Sequence, residues 1–179
     1  MIIPGPIIAL LTFPGVIVHE FAHKLFCDIF NVPVYYVNYF IPLSDQAGRV
    51  IHKNTDNFWT LFFISVAPLI VNSLLCMLFT FPFASTYFLG TDTVWYSNST
   101  ILNILITWLG YSIGFHAIPS NQDVKNLDKY AKNEFRQILI GLVQGLAYFS
   151  NLFGFIPAGL YALYISTLLP DILLTNFTF

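Results

Sequence analysis

The sequence predicts an α-helical integral membrane protein of about five transmembrane helices, with a small β-hairpin in the first cytoplasmic loop. Three observations carry this. Of 179 residues, 56% are hydrophobic and only 9% are charged, whereas soluble domains carry about a quarter charged residues. Apolar runs of spanning length recur along the chain. Apart from Lys24, the basic residues are confined to a few connecting stretches. No basic stripe marks a nucleic-acid partner, so the expected surroundings are a lipid bilayer. No positively charged stretch precedes the first apolar run, so the apolar segments themselves are expected to direct insertion.

The first predicted span runs from Ile7 to Phe30. Pro4, Pro6 and Pro14 make its start irregular, and Pro14 is suited to open a helix of its own, because proline fits the first helical turn. Val34 to Ile41 follows, rich in β-branched and aromatic residues. Ser44-Asp45-Gln46-Ala47-Gly48 then carries turn chemistry, and Arg49 to His52 can return as a partner strand. The alternative for this stretch is an interfacial loop with its tyrosines at the headgroup level. The second span is Phe58 to Phe83 and the third Thr100 to Ile118. The fourth is Ile138 to Phe153 and the fifth Pro157 to Leu174. Gly154-Phe155-Ile156-Pro157 separates the last two as a tight break, with one long kinked helix as the alternative. Residues 1–179 form a single membrane-embedded domain in this reading, with a core over 7–136 and an added helical hairpin over 137–179.

Charge fixes the expected topology. Arg49 and Lys53 lie between spans one and two, and Lys24 lies near the inner end of span one. Lys125, Lys129, Lys132 and Arg136 lie between spans three and four, while Ala84 to Ser99 holds no Lys or Arg. The positive-inside rule places the basic loops in the cytoplasm. The N-terminus is then outside and the C-terminus cytoplasmic, in a plasma membrane by default.

Within span one lies His19-Glu20-Phe21-Ala22-His23, an H-E-x-x-H motif, and Ile7 to Val18 before it carries no charge. Histidines four apart share a helix face and can both reach one zinc ion, and Glu20 beside them can serve as general base toward its water. Ionisable groups at membrane depth are costly and usually functional. The pattern therefore points to a zinc hydrolase with its site inside the membrane, holding one Zn2+ per chain.

A catalytic zinc takes a third protein ligand. The candidates are Asp123, His116, Asp28, His52 and Cys27. Asp123 leads, because Pro119 breaks the end of span three and lets the chain turn back toward the motif; a helix-capping role is the alternative. His116 is the main rival, either as ligand, as a partner that orients a ligand, or as a donor to a developing oxyanion. Asn72 sits mid-span after Pro68, which can free backbone groups to face a cavity. Asn72 can stabilise an oxyanion or make an interhelical hydrogen bond. Cys27 and Cys76 both fall in predicted spans, so a structural disulfide is not expected.

With these residues in view, the chain resembles the site-2 protease family of intramembrane zinc metalloproteases. The resemblance is carried by Gly15-Val16-Ile17-Val18-His19-Glu20-Phe21-Ala22-His23-Lys24-Leu25-Phe26 and by Val32-Pro33-Val34 leading into strand-like sequence. Ala67-Pro68-Leu69-Ile70-Val71-Asn72 is similar to the family's Gly-Pro-x-x-Asn, with Ala for Gly and one extra residue before Asn. The family's third ligand is an aspartate, usually in Leu-Asp-Gly; this chain has no Leu-Asp-Gly, and Asp123 is the positional match. The resemblance covers about residues 14–123 and implies cleavage of membrane-anchored proteins in or near their spanning helix.

The expected partner is thus a membrane-protein substrate, and nothing in the sequence sets the oligomeric state. Two other functions fit the same residues: a non-catalytic zinc-binding membrane scaffold, and a membrane zinc protease acting on proteins at the cytoplasmic surface. Residues 34–41 are the expected edge for holding an unwound substrate by β-augmentation.

Overall fold

The computed structural model of the chain describes residues 5–44, 46–89, 100–130, 132–153, 155–169 and 172. It is mostly helical, with one two-stranded sheet. The expected span one is two helices. α1 covers Gly5–Leu11, and α2 covers Phe13–Ile29. They meet at 91°. Pro14 falls in the first turn of α2, where a missing N–H leaves no bond unmade. The Thr12 hydroxyl does not cap α2 but donates back to the Ile8 carbonyl at 2.7 Å, which helps to end α1.

The hairpin forms as the sequence indicated. β1 (Val34–Asn38) pairs antiparallel with β2 (Arg49–His52), from Val34 opposite His52 to Asn38 opposite Arg49. A register shift between Val34 and Tyr36 leaves Tyr35 as an extra residue, a bulge that twists the strand. β1 stops three residues short of Ile41, because Asn38 Oδ1 accepts the Phe40 N–H and turns the chain out of the ladder.

α3 (Phe58–Leu89) contains the segment Phe58–Thr80, 23 residues with a mean hydropathy of 2.3. At 1.5 Å per residue that is about 35 Å, enough for a hydrocarbon core of about 30 Å. Among the described residues it is the one helix that meets this requirement alone; the bent pairs α1–α2 and α6–α7 raise the count to three if each is one broken span. α4 (Thr100–Phe115) has 16 described residues, about 24 Å. It ends before Ile118 because Pro119 disfavours helical backbone in the residue before it.

Asn121–Val124 forms a single turn, α5, followed by a 3-10 turn at Leu127–Tyr130. α6 (Glu134–Phe153) and α7 (Phe155–Leu163) replace predicted spans four and five, with α7 continuing as a π turn over Tyr164–Leu168. The two helices are bent sharply against each other; Phe155, Ile156 and Pro157 of the expected break belong to the first turn of α7, and Gly154 lies outside the described residues. The predicted far end of span five, Leu174, and the expected outer loop beyond Leu89 lie outside the described residues.

α3 is the central post. It packs against α2 and α4, and α7 with its π turn closes on α4 and α3. Where α2 meets α4, Gly15 is indispensable: a Cβ there would lie 1.9 Å from the Ser112 carbonyl oxygen and 2.7 Å from the His116 ring. Gly145 on α6 has open space around it. Gly15→Ala should therefore lower stability by at least about 1–3 kcal/mol through overpacking. Gly145→Ala should raise it by up to about 1 kcal/mol through helix propensity. Unfolding midpoints of the two variants in the same detergent check this pair of opposite signs.

Candidate metal centre

His19 and His23 sit one turn apart on α2, and the capped turn α5 brings Asp123 against both. His19 Nε2 lies 3.4 Å from Asp123 Oδ2, and His23 Nε2 lies 3.3 Å from Asp123 Oδ1. The two Nε2 atoms are 3.2 Å apart. Donors bonded to zinc at about 2.0–2.1 Å in tetrahedral geometry stand about 3.3–3.4 Å from one another. These three residues are the group that can hold a metal ion among the described residues.

The hydrogen bonds behind the histidines decide which nitrogen faces the centre. His19 Nδ1–H donates to the His116 carbonyl at 2.7 Å, and His23 Nδ1–H donates to the Ile64 carbonyl at 2.8 Å. A neutral imidazole has one N–H, so both Nε2 atoms present bare lone pairs. Two such nitrogens and a carboxylate then converge with no donor among them. The three residues could hold a cation at that point, and the donor set of two imidazoles and a carboxylate suits a transition metal such as zinc.

Each of the two carbonyls is free for a stated reason. Ile64 lies four residues before Pro68 on α3, and proline has no N–H to close that helical bond. His116 follows the last residue of α4, where carbonyls have no helical partner. The His116 carbonyl also accepts from Asn72 Nδ2 at 3.3 Å, and Asn72 Nδ2 reaches the Ile113 and Gly15 carbonyls at 3.0 and 3.3 Å. Asn72 is fully buried.

Asp123 is held as firmly. Ser120 and Asp123 form a capping box: the Ser120 N–H donates to Asp123 Oδ2 at 2.6 Å, and the Asp123 N–H donates to Ser120 Oγ at 3.4 Å. The Asp123 carbonyl accepts from Ser65 Oγ at 2.6 Å. The capping role and the ligand position, alternatives in the sequence, are thus filled by one side chain. Burial acts to raise the Asp123 carboxyl; with the histidines protonated, the charge of His23 and the hydrogen bonds from both rings outweigh it and hold it well below the usual carboxylate range. Asp123 is therefore anionic.

The remaining candidates fall elsewhere. The His116 ring is not in the cluster: its Nε2 lies 2.7 Å from Thr12 Oγ1. Because the Thr12 hydrogen goes to Ile8, Nε2–H is the donor, and the neutral ring keeps no proton for an oxyanion. His116 orients His19 through its main chain instead. Asn72 spends its amide N–H groups on main-chain carbonyls, which is the interhelical alternative and leaves none for an oxyanion. Asp28 pairs with Lys24, His52 bonds the Lys53 carbonyl on the hairpin, and the buried Cys27 carries a free thiol.

Glu20 lines the same cavity as the cluster, a space of about 860 Å³ walled by α1, α2, β2, the α4–α5 connection and the α6–α7 bend. No hydrogen bond from the described residues ties its carboxyl. Gly48 covers it closely; a Cβ at Gly48 would lie 2.5 Å from Glu20 Cγ. The cavity is lined by β2 and not by β1, so the strand beside the site is 49–52 rather than the expected 34–41. Thr12, Gly48, Ile64 and Ser65 were not singled out from the sequence. Pro68, four residues past Ile64, was the readable signal for one of them.

Compared with family models, with characterised proteins and with solved structures, the chain matches none. Function is therefore argued from the centre itself.

Removing the Asn72 amide tests its place in this network. Asn72→Ala leaves buried carbonyls short of a donor and should cost about 1–3 kcal/mol of stability, seen as a lower unfolding midpoint in detergent.

Proposed function

We propose that the chain is an intramembrane zinc endopeptidase that cleaves membrane-anchored proteins in or near their spanning segment. The observation that carries this is the convergence of His19, His23 and Asp123 on one point, with the untethered carboxyl of Glu20 in the same cavity. A purely structural metal site has no use for Glu20. The apolar surface left exposed on α3, α4 and α6, including Leu74, Leu78, Ile104 and Leu142, supports placement in a bilayer.

His19, His23 and Asp123 would hold the zinc, which when bound polarises the scissile carbonyl and lowers the pKa of water to about 7. Glu20 takes the proton from the attacking water and passes it to the leaving amine. Asp123 and the two histidines are kept from turning away by their bonds to Ser120, His116 and Ile64. A substrate helix hides its amides and must unwind to reach the cavity. β2 has one side unpaired in a two-stranded sheet, and an extended segment can add to it within the cavity.

Purified native chain should contain about one zinc, lost in His23→Ala. Glu20→Gln should keep zinc yet abolish cleavage of a membrane-anchored reporter. Elemental analysis and a cleavage assay in proteoliposomes check both. Full biological activity in Glu20→Gln would favour the non-catalytic scaffold, cleaved bonds outside spanning segments would favour a surface protease, and native chain without zinc after zinc supply would remove the hydrolase.

Gly48→Ala should lower cleavage at least tenfold with zinc retained, because the added methyl displaces the Glu20 carboxyl. The same assay, with zinc content measured alongside, separates this effect from loss of the site.

A further inference from the structure

We infer that Pro68 is a positioning residue for the metal centre: by denying the Ile64 carbonyl its helical partner, it makes that carbonyl the acceptor that fixes His23. The inference rests on the metal-site reading above and concerns one residue that does not touch the centre. α3 is regular on both sides of Pro68. A helix of this length has every interior carbonyl bonded four residues ahead, except where the residue ahead lacks an N–H. Ile64 is such an exception, as Leu78 is before Pro82. Its oxygen is met at 2.8 Å by His23 Nδ1, and Ile64 and Pro68 are both buried. The bond turns the ring so that Nε2 faces His19 and Asp123. Asn72 lies one further turn along the same face and holds the carbonyl that fixes His19. Spacing of four from Ile64 to Pro68 to Asn72 thus puts both supports on one stripe of one helix.

An N–H at position 68 would draw the Ile64 carbonyl back along the helix. A carbonyl oxygen has two lone pairs, so the His23 bond would lengthen and weaken rather than vanish. Removing such a partner costs metal affinity by about 10–100-fold, and the partial loss here sets the expectation at about tenfold. Stability moves the other way. Proline in a helix interior is unfavourable against alanine, so the zinc-free chain should unfold at the same or a higher temperature.

The test measures zinc affinity of the full chain in detergent by competition with a chromophoric chelator, together with zinc-free unfolding midpoints, for native, Pro68→Ala and Pro68→Ser. Serine restores the same N–H with a different side chain. About tenfold weaker zinc in both variants, with an unchanged or higher midpoint, is the expected result. Affinity within twofold of native overturns the inference while leaving the metal site standing. Affinity and stability falling together would assign Pro68 a packing role and also overturn it. A native chain that binds no zinc removes the metal site, and this inference with it.

Discussion

Two main-chain carbonyls without helical partners govern this structure. In a buried apolar setting a bare carbonyl is costly, by several kcal/mol where no water reaches it. Ile64 is left bare by Pro68 and His116 by the end of α4. Each is satisfied by the Nδ1–H of a histidine, and that choice of nitrogen sends both Nε2 lone pairs to the same point. The metal centre follows from how two helices dispose of their unpaired oxygens. The histidines stabilise the fold by capping those oxygens, and the fold in turn fixes their tautomer.

Such an arrangement puts the support of the site on a helix that contributes no ligand. Ile64 and Ser65 on α3 hold His23 and Asp123, and Asn72 holds the carbonyl behind His19. α3 also holds the longest apolar helical segment among the described residues. In lipid, helix association has no hydrophobic drive and relies on close packing and interhelical hydrogen bonds. The bonds that orient the ligands are therefore the ones that join α3 to α2, α4 and α5. Gly15 adds the close approach that lets α2 and α4 share the His116 region. Loss of one polar contact here loosens the helix packing and the centre together, which is why stability and metal affinity must be measured separately to tell the two apart.

Much of this was legible in the residues. H-E-x-x-H fixes two ligands by helical periodicity alone, and β-branched and aromatic residues around a turn give the hairpin. Asp123 was found because Pro119 must break the preceding helix. The sequence could not tell a capping aspartate from a candidate ligand, since the capping box aims the carboxylate at the histidines and lets it serve as both. The 91° between α1 and α2 was not legible beyond the start at Pro14, because an angle between helices is set by what they pack on. Span three was expected to reach Ile118, whereas α4 ends at Phe115, because hydropathy counts apolar residues and not the helix end that Pro119 imposes. His116 was given a chemical role by its ring, whereas its contribution is a carbonyl that any residue carries; main-chain roles leave no mark in residue identity. Asn72 was open between two roles, and three acceptors around one amide nitrogen settle how it is used in this conformation.

The centre also separates groups that must stay still from one that must not. His19, His23 and Asp123 each have a second bond that fixes their direction, as ligands of a metal require. Glu20 has none from the described residues, and it is confined instead by the main chain at Gly48. A carboxylate that takes a proton at one place and delivers it at another has to change its contacts between the two. A strong hydrogen bond to the protein would hold it in one of them. Steric confinement without such a bond keeps the carboxyl in the cavity and leaves both of its oxygens available. The hairpin is the element that applies this confinement, so a substrate strand adding to β2 would press on the same loop that sets the position of Glu20. Docking and proton transfer would then be coupled through Gly48, with no residue moving far.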